Sequence, residues 1–185
     1  DQQSKGNDLF ETYARVVHCT MVRLMLILEI LLQLKSKQGD VTAAFLHAEL
    51  GENKKVYIEM PLGFRQKGKV LKLKPTLYGL RQSPRAFWQY LTKFMEAFGM
   101  KVSKLDPCLF IGDRVMAVAF VDDIFFWATD QAYINELGNK LRERGLILEQ
   151  EDDAVGFLGV KMIKMEDGHI EMKQTGLTDR IVEAL

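Results

Sequence analysis

The stretch "VMAVAFVDDIFFWAT" (Val115 to Thr129) restricts the possible folds of this chain more than any other. It sets two adjacent carboxylates between two apolar runs, where an unneutralised charge is costly to bury. The runs read as two strands of a hairpin with Asp122 and Asp123 at its tip. Neighbouring strand residues point to opposite faces, so the two carboxylates can serve one site only at a tight turn. The plainer reading is an ordinary acidic turn, because Asp is common in turns whatever their role.

The chain has 185 residues, 48% hydrophobic and 27% charged, enough for one globular domain or two closely joined subdomains. Lys and Arg together number 25, as do Asp and Glu, so net charge gives no argument for a nucleic-acid or membrane partner, and any such surface must come from local clustering. The only cysteines, Cys19 and Cys108, lie in apolar surroundings without metal-ligand spacing, and are expected as buried free thiols in a reducing compartment. The greasiest run, "VRLMLILEILLQL", is interrupted by Arg23, Glu29 and Gln33 and is shorter than the roughly 20 residues of a membrane span. It predicts a core helix over about Thr20 to Leu34, apolar almost all round and so expected to be buried on several sides. No signal peptide is visible, and both ends read as cut.

Further elements follow from local signals. "KQGDVTAAFL" is expected to turn through Gly39 into a short strand ending near Asp40, and "VYIEM" and "VLKLK" to form a hairpin. "SPRAFWQYLTKFMEAFG" predicts a helix with Ser83 as N-cap, Pro84 at the first helical position, Gly99 just past the end, and Phe87, Leu91, Phe94 and Phe98 on one face. Another helix runs from Asp130 as N-cap to Gly145, with Ile134, Leu137 and Leu141 inward. Strand candidates "CLFIG", "VGFLGVKMIKM" and "HIEMKQ" complete an α+β arrangement, a mainly antiparallel sheet packed by helices on one face.

Asp40 gives the acidic pair a possible partner. At the end of its strand it can project from the same sheet edge as the hairpin tip, making a site of three carboxylates. Hard oxygen ligands with open positions suit Mg²⁺. Two such ions ~3.5–4 Å apart activate an attacking hydroxyl and stabilise a leaving oxygen in phosphoryl transfer. Lys67, Lys69, Lys72, Lys74, Arg81 and Arg85 form a basic segment that either faces water or holds triphosphate or a nucleic-acid backbone.

Taken in order, "GDVTAAFLHAEL", "VYIEMPLGF", "LKLKPTLYGLRQSPRAFW", "DPCLF", "FVDD", "FLGV" and "MKQTGLTDRI" closely resemble the reverse transcriptase of copia-type long-terminal-repeat retrotransposons. The resemblance implies a palm-type polymerase. Residues 1–39 and 46–100 would be partial fingers plus a palm helix, 40–45 and 101–175 the palm, and 176–185 the start of a C-terminal helix. It implies Asp40, Asp122 and Asp123 as catalytic residues holding two Mg²⁺, with Mn²⁺ as a substitute, and the Val41 carbonyl as a further metal ligand. It makes Phe45 an aromatic gate against the ribose 2′-hydroxyl, where the residue would otherwise pass as a core phenylalanine. Tyr78, Gly79 and Arg81 would line the nucleotide and template pocket, and Phe157, Leu158 and Gly159 would grip the primer.

The implied activity is RNA-directed DNA polymerisation. Its partners would be deoxynucleoside triphosphates, an RNA or DNA template with primer, and the remaining polyprotein regions: basic fingers segment, thumb, RNase H and integrase. The implied location is the cytoplasm, including virus-like particles, with no membrane partner. Two departures stand out. Arg15 occupies a position where the family typically has proline, and "LILEQEDDAVG" offers no lysine to serve as proton donor to pyrophosphate. The competing readings are a catalytically inactive remnant that at most binds nucleic acid, and another metal-dependent phosphotransferase. Phe45 and "YGLRQSP" argue against the latter.

Overall fold

In the computed structural model, residues 15–51, 55–151, 155–157 and 160–184 are described. In chain order come α1 (Cys19–Leu32), β1 (Lys35–Val41), β2 (Tyr57–Ile58), β3 (Leu71–Lys72), α2 (Ser83–Ala97), β4 (Lys101–Val102) and β5 (Leu109–Ile111). They are followed by β6 (Val115–Phe120), β7 (Asp123–Ala128), α3 (Gln131–Glu143), β8 (Leu148–Glu151), β9 (Val155–Phe157), β10 (Val160–Lys164), β11 (Ile170–Lys173) and α4 (Thr175–Glu183). The chain divides into two compact units: one of Asp1–Arg15 and Ala43–Phe94, the other of Val16–Thr42 and Met95–Leu185.

The second unit is built on a six-stranded sheet of order β4-β5-β6-β7-β1-β8, and every pairing in it is antiparallel. β6 and β7 are the expected hairpin, paired from Val115↔Ala128 to Phe120↔Asp123. β1 lies against the other edge of β7, from Lys35↔Ala128 to Asp40↔Asp123. A three-stranded antiparallel sheet, β11-β10-β9, belongs to the same unit. The class is therefore α+β with antiparallel sheets, as the sequence predicts.

One part of that expectation needs correction, because the large sheet is covered on both faces. Residues Ile124 to Ala128 of β7 are all at most 2% exposed, and since strand side chains alternate, neither face can be open. Phe125 and Trp127 pack with Val22, Met25 and Leu26 of α1. Ile124, Phe126 and Ala128 point the other way, where α3, packed on β7, β1 and β8, brings its buried Ile134, Leu137 and Leu141. The α3 boundaries follow from capping: Asp130 accepts a hydrogen bond from the Ala132 N–H at 2.9 Å, and Gly145 leaves the helix at a left-handed φ of 90°.

α1 also departs from expectation. Val22, Met25, Leu26 and Glu29 are buried, whereas Leu24, Ile27, Ile30, Leu31 and Leu32 are exposed, so the helix is covered along one stripe only. Cys19, in its first turn, is exposed and only Cys108 is buried; both are free thiols. Gly39 is no turn. It sits inside β1, paired with Ile124 and Gln150. Ser83 begins α2 rather than capping it, and its hydroxyl donates to the Leu77 carbonyl at 2.6 Å. On α2 the fully buried positions are Phe87, Leu91 and Met95, with Phe94 at 8%. No described helix is long and apolar enough to cross a membrane.

In the first unit β2 and β3 pair antiparallel as a short hairpin, Tyr57↔Lys72 and Ile58↔Leu71. The segment 61–74 is exposed almost throughout, including Lys67, Lys69, Lys72 and Lys74.

A buried carboxylate ties α1 to the large sheet. Glu29, 4% exposed, accepts from the Trp127 indole N–H through Oε2 and from the Ser36 hydroxyl through Oε1, each at 2.8 Å. A buried charge is tolerated only with such partners. Trp127→Phe keeps most of the ring volume but removes one donor, and should lower unfolding free energy by about 1–3 kcal/mol in a urea titration. An unchanged midpoint would show that the indole bond contributes nothing.

Candidate catalytic carboxylate site

The site is assembled by strand register. Asp40, near the end of β1, is the cross-strand partner of Asp123, the first residue of β7. The Val41 N–H donates to the Asp122 carbonyl at 2.9 Å, which makes the neighbouring Asp40↔Asp123 a non-hydrogen-bonded pair. In such pairs the Cα atoms approach to about 4.5 Å and the side chains leave the same face together. Two carboxylates remote in the chain are thus held side by side by the ladder. Like charges in this relation are destabilising unless a cation or donor offsets them.

Asp122 sits differently. It is the second of two turn residues, after Val121, that connect Phe120 to Asp123. Val121 has φ 58°, and Asp122 is not among the residues with positive φ. A left-handed first position is the requirement of a type II′ hairpin turn, normally met by glycine. A β-branched residue there is strained, at a cost on the order of 1–3 kcal/mol, and such strain is concentrated at functional sites. The tight turn places Asp122 at the tip while its carbonyl stays bound to β1.

A third strand contributes a residue that the sequence did not single out. β8 pairs with the free edge of β1 and sets Glu149 opposite Asp40. The Thr42 hydroxyl donates to Glu149 Oε1 at 3.3 Å. Asp123, Asp40 and Glu149 therefore lie in a row on one face of three adjacent strands. The acidic "LILEQE" hides this, because alternation in a short edge strand with polar residues is hard to tell from a loop. A second overlooked residue is Gln38, whose side-chain Nε2 donates to Asp123 Oδ1 at 3.3 Å.

The predicted residues are only partly brought together. Asp40 and Asp123 share a face, and Val41 and Asp122 share a backbone bond. Among the described residues, no group of three or more His, Cys, Asp or Glu side chains is close enough to hold one ion as it stands. Phe45 and Tyr78 do meet, within the other unit: their ring centroids are 4.5 Å apart, and Phe87 lies edge-on to Phe45 at 6.2 Å. Phe45 is 7% exposed and Tyr78 55%. Thr76 fastens this cluster, donating its hydroxyl to the Phe45 carbonyl and its N–H to the Ala48 carbonyl, the latter at 2.8 Å. Gly79 has φ 91°, a conformation that supplies the physical need for glycine in "YGLRQSP". Arg81 is exposed in the same loop. Of the expected primer grip, Leu158 and Gly159 lie outside the described residues, and Phe157 is placed only as the last residue of β9.

The donor set fits a divalent cation on chemical grounds. Carboxylate oxygens and a backbone carbonyl are hard ligands of the kind Mg²⁺ takes, and the cross-strand opposition of Asp40 and Asp123 is relieved by a cation.

The family model described as reverse transcriptase (RNA-dependent DNA polymerase) matches residues 2–185, and the chain belongs to that family. Among relatives, the retrovirus-related Pol polyprotein from transposon TNT 1-94 of Nicotiana tabacum is 30% identical, over 98% of this chain and 14% of its own length. The Pol polyprotein from transposon RE1 of Arabidopsis thaliana is also 30% identical, over 93% of this chain and 12% of its own. The transposon Ty1-GR3 Gag-Pol polyprotein of Saccharomyces cerevisiae is 25% identical over 78% and 8% respectively. The chain is a reverse transcriptase domain of the copia type, and it spans only a small part of these polyproteins' length.

The turn gives a direct test. Val121→Gly removes the strain of a left-handed valine, so the usual loss of about 1 kcal/mol on introducing glycine should be absent or reversed. A thermal midpoint at or above that of the parent is expected; a clear fall would show that Val121 is not strained.

Proposed function

We propose that this chain is the RNA-directed DNA polymerase core of a copia-type Pol polyprotein, extending a primer 3′-hydroxyl with deoxynucleotides on an RNA or DNA template. The observation that carries the reading is the cross-strand placement of Asp40 and Asp123 beside the strained turn that bears Asp122. Asp40, Asp122 and Asp123, with the Val41 carbonyl, would hold two Mg²⁺ ions, for which Mn²⁺ can substitute. When bound, the metal supplies neutralisation of phosphate charge and activation of the attacking hydroxyl.

The chain's own contribution is placement. The β1–β7 ladder keeps two carboxylates at one spacing, and the hairpin turn presents the third. Pre-organised charges of this kind need no rearrangement as negative charge develops on the transferring phosphoryl group. On the resemblance of their motifs, we assign Phe45, Tyr78, Gly79 and Arg81 to the incoming nucleotide and template, with Phe45 screening against the ribose 2′-hydroxyl. Phe157, Leu158 and Gly159 are assigned to the primer. The palm is 40–45 and 101–175, with 1–39 and 46–100 as partial fingers and a palm helix, and 176–185 opening a C-terminal helix.

The other polyprotein regions, including thumb, RNase H and integrase, are the proposed covalent partners, and cytoplasmic virus-like particles the proposed location. A catalytically inactive remnant gains no support from Arg15: its guanidinium lies 4.8 Å from the Trp88 ring centroid, a cation–π contact that gives this residue a packing role.

Primer extension tests the proposal. A Pol segment containing this chain should extend a DNA primer on an RNA template with deoxynucleotides and Mg²⁺, and Asp122→Asn should lower the rate by roughly a thousandfold or more, the usual scale for a group acting in the chemical step. Extension by that variant at the parent rate would overturn the assignment.

A further inference from the structure

Gln38 lies two residues before Asp40 on β1, and so on the same face, opposite Phe125 and diagonal to Asp123. It is 6% exposed, beside a phenylalanine that is 1% exposed. Its Nε2 donates to Asp123 Oδ1 at 3.3 Å, while its Oε1 is buried with no hydrogen-bond partner among the described residues. The opposite amide orientation would set Oε1 against the carboxylate, acceptor on acceptor, so the bond to Asp123 dictates which amide atom is orphaned.

That arrangement is a poor one for stability. A buried carbonyl oxygen without a donor carries a desolvation penalty, whereas methionine would fill nearly the same volume with no polar atom to satisfy. The amide has one compensating interaction in view, the bond to Asp123. We infer that Gln38 is a positioning residue, whose amide holds the Asp123 carboxylate on the face it shares with Asp40, in the orientation that a divalent cation requires.

The inference deepens the proposed function and rests on its reading of the carboxylates as a cation site. Groups that hydrogen-bond a ligating carboxylate commonly set metal affinity by 10–100-fold when changed. The corresponding sequence signal is slight: a single glutamine in "KQGD" looks like a turn residue until the register is known.

The test is Mn²⁺ binding followed by electron paramagnetic resonance, together with thermal unfolding in EDTA, on the parent chain, Gln38→Met, Gln38→Leu, Asp40→Asn and Asp123→Asn. Both Gln38 variants should unfold at or above the parent midpoint yet bind Mn²⁺ roughly tenfold or more weakly. In the Asp123→Asn background, Gln38→Met should cause no further loss, because the two residues act as one unit. Parent-like affinity in both Gln38 variants would overturn the inference, as would loss of fold in both, which would make the amide a stabilising group. Equal affinity in the parent and both aspartate variants would sink the cation-site reading itself and the inference with it; in the first failure the aspartate variants still lose binding.

Discussion

The opposition of Asp40 and Asp123 across the β1–β7 ladder is the constraint on which the rest of the molecule depends. Two like charges fixed as direct cross-strand neighbours work against the folded state. The fold maintains them through a sheet whose central strand is buried on both faces: Phe125 and Trp127 beneath α1, and Ile124, Phe126 and Ala128 on the side of α3. Close packing leaves the strands little freedom to slip or splay, and a slip of one residue would put the carboxylates on opposite faces. Stability invested in the core thus holds in place a charge arrangement that the chain would otherwise relax.

Polar groups follow the same logic along one face of β1. Ser36 and Trp127 satisfy the buried Glu29, Gln38 reaches Asp123, and Asp40 stands beyond them with Glu149 on its other side. The line runs from a fully buried carboxylate with identified donors to exposed carboxylates at the strand ends. Val121 adds backbone strain at the point where the hairpin turns. Such departures from ideal local structure persist only where the surroundings over-determine them. Membership of the reverse transcriptase family gives the concentration of strain and charge a chemical context.

Much of this was legible in the residues themselves. The "VDD" hairpin, the Asp130 cap and the "VYIEM"/"VLKLK" pair carry local signals, turn chemistry or capping, that do not depend on distant contacts. The misread elements depend on partners far along the chain. β8 is missing from the strand candidates because it shows as a strand only once β1 is found beside it, and Gly39 looks like a turn until Ile124 and Gln150 flank it. α1 is apolar nearly all round, yet periodicity cannot say which stripe is covered, and several leucines and isoleucines are exposed. Gln38 and Glu149 were invisible for the same reason, since register is a property of pairing and not of either strand alone.

The most direct measurement is the response of stability to Mg²⁺. A ligand that binds the folded state but not the unfolded chain raises the unfolding midpoint, by an amount that grows with the logarithm of free ligand once it exceeds the dissociation constant. If Asp40 and Asp123 form a shared cation site, the chain's midpoint should climb as Mg²⁺ is titrated from EDTA, and the midpoint of Asp40→Asn should no longer respond to the ion. A parent midpoint identical in EDTA and in saturating Mg²⁺, or an equal rise in Asp40→Asn, would contradict the account at its base.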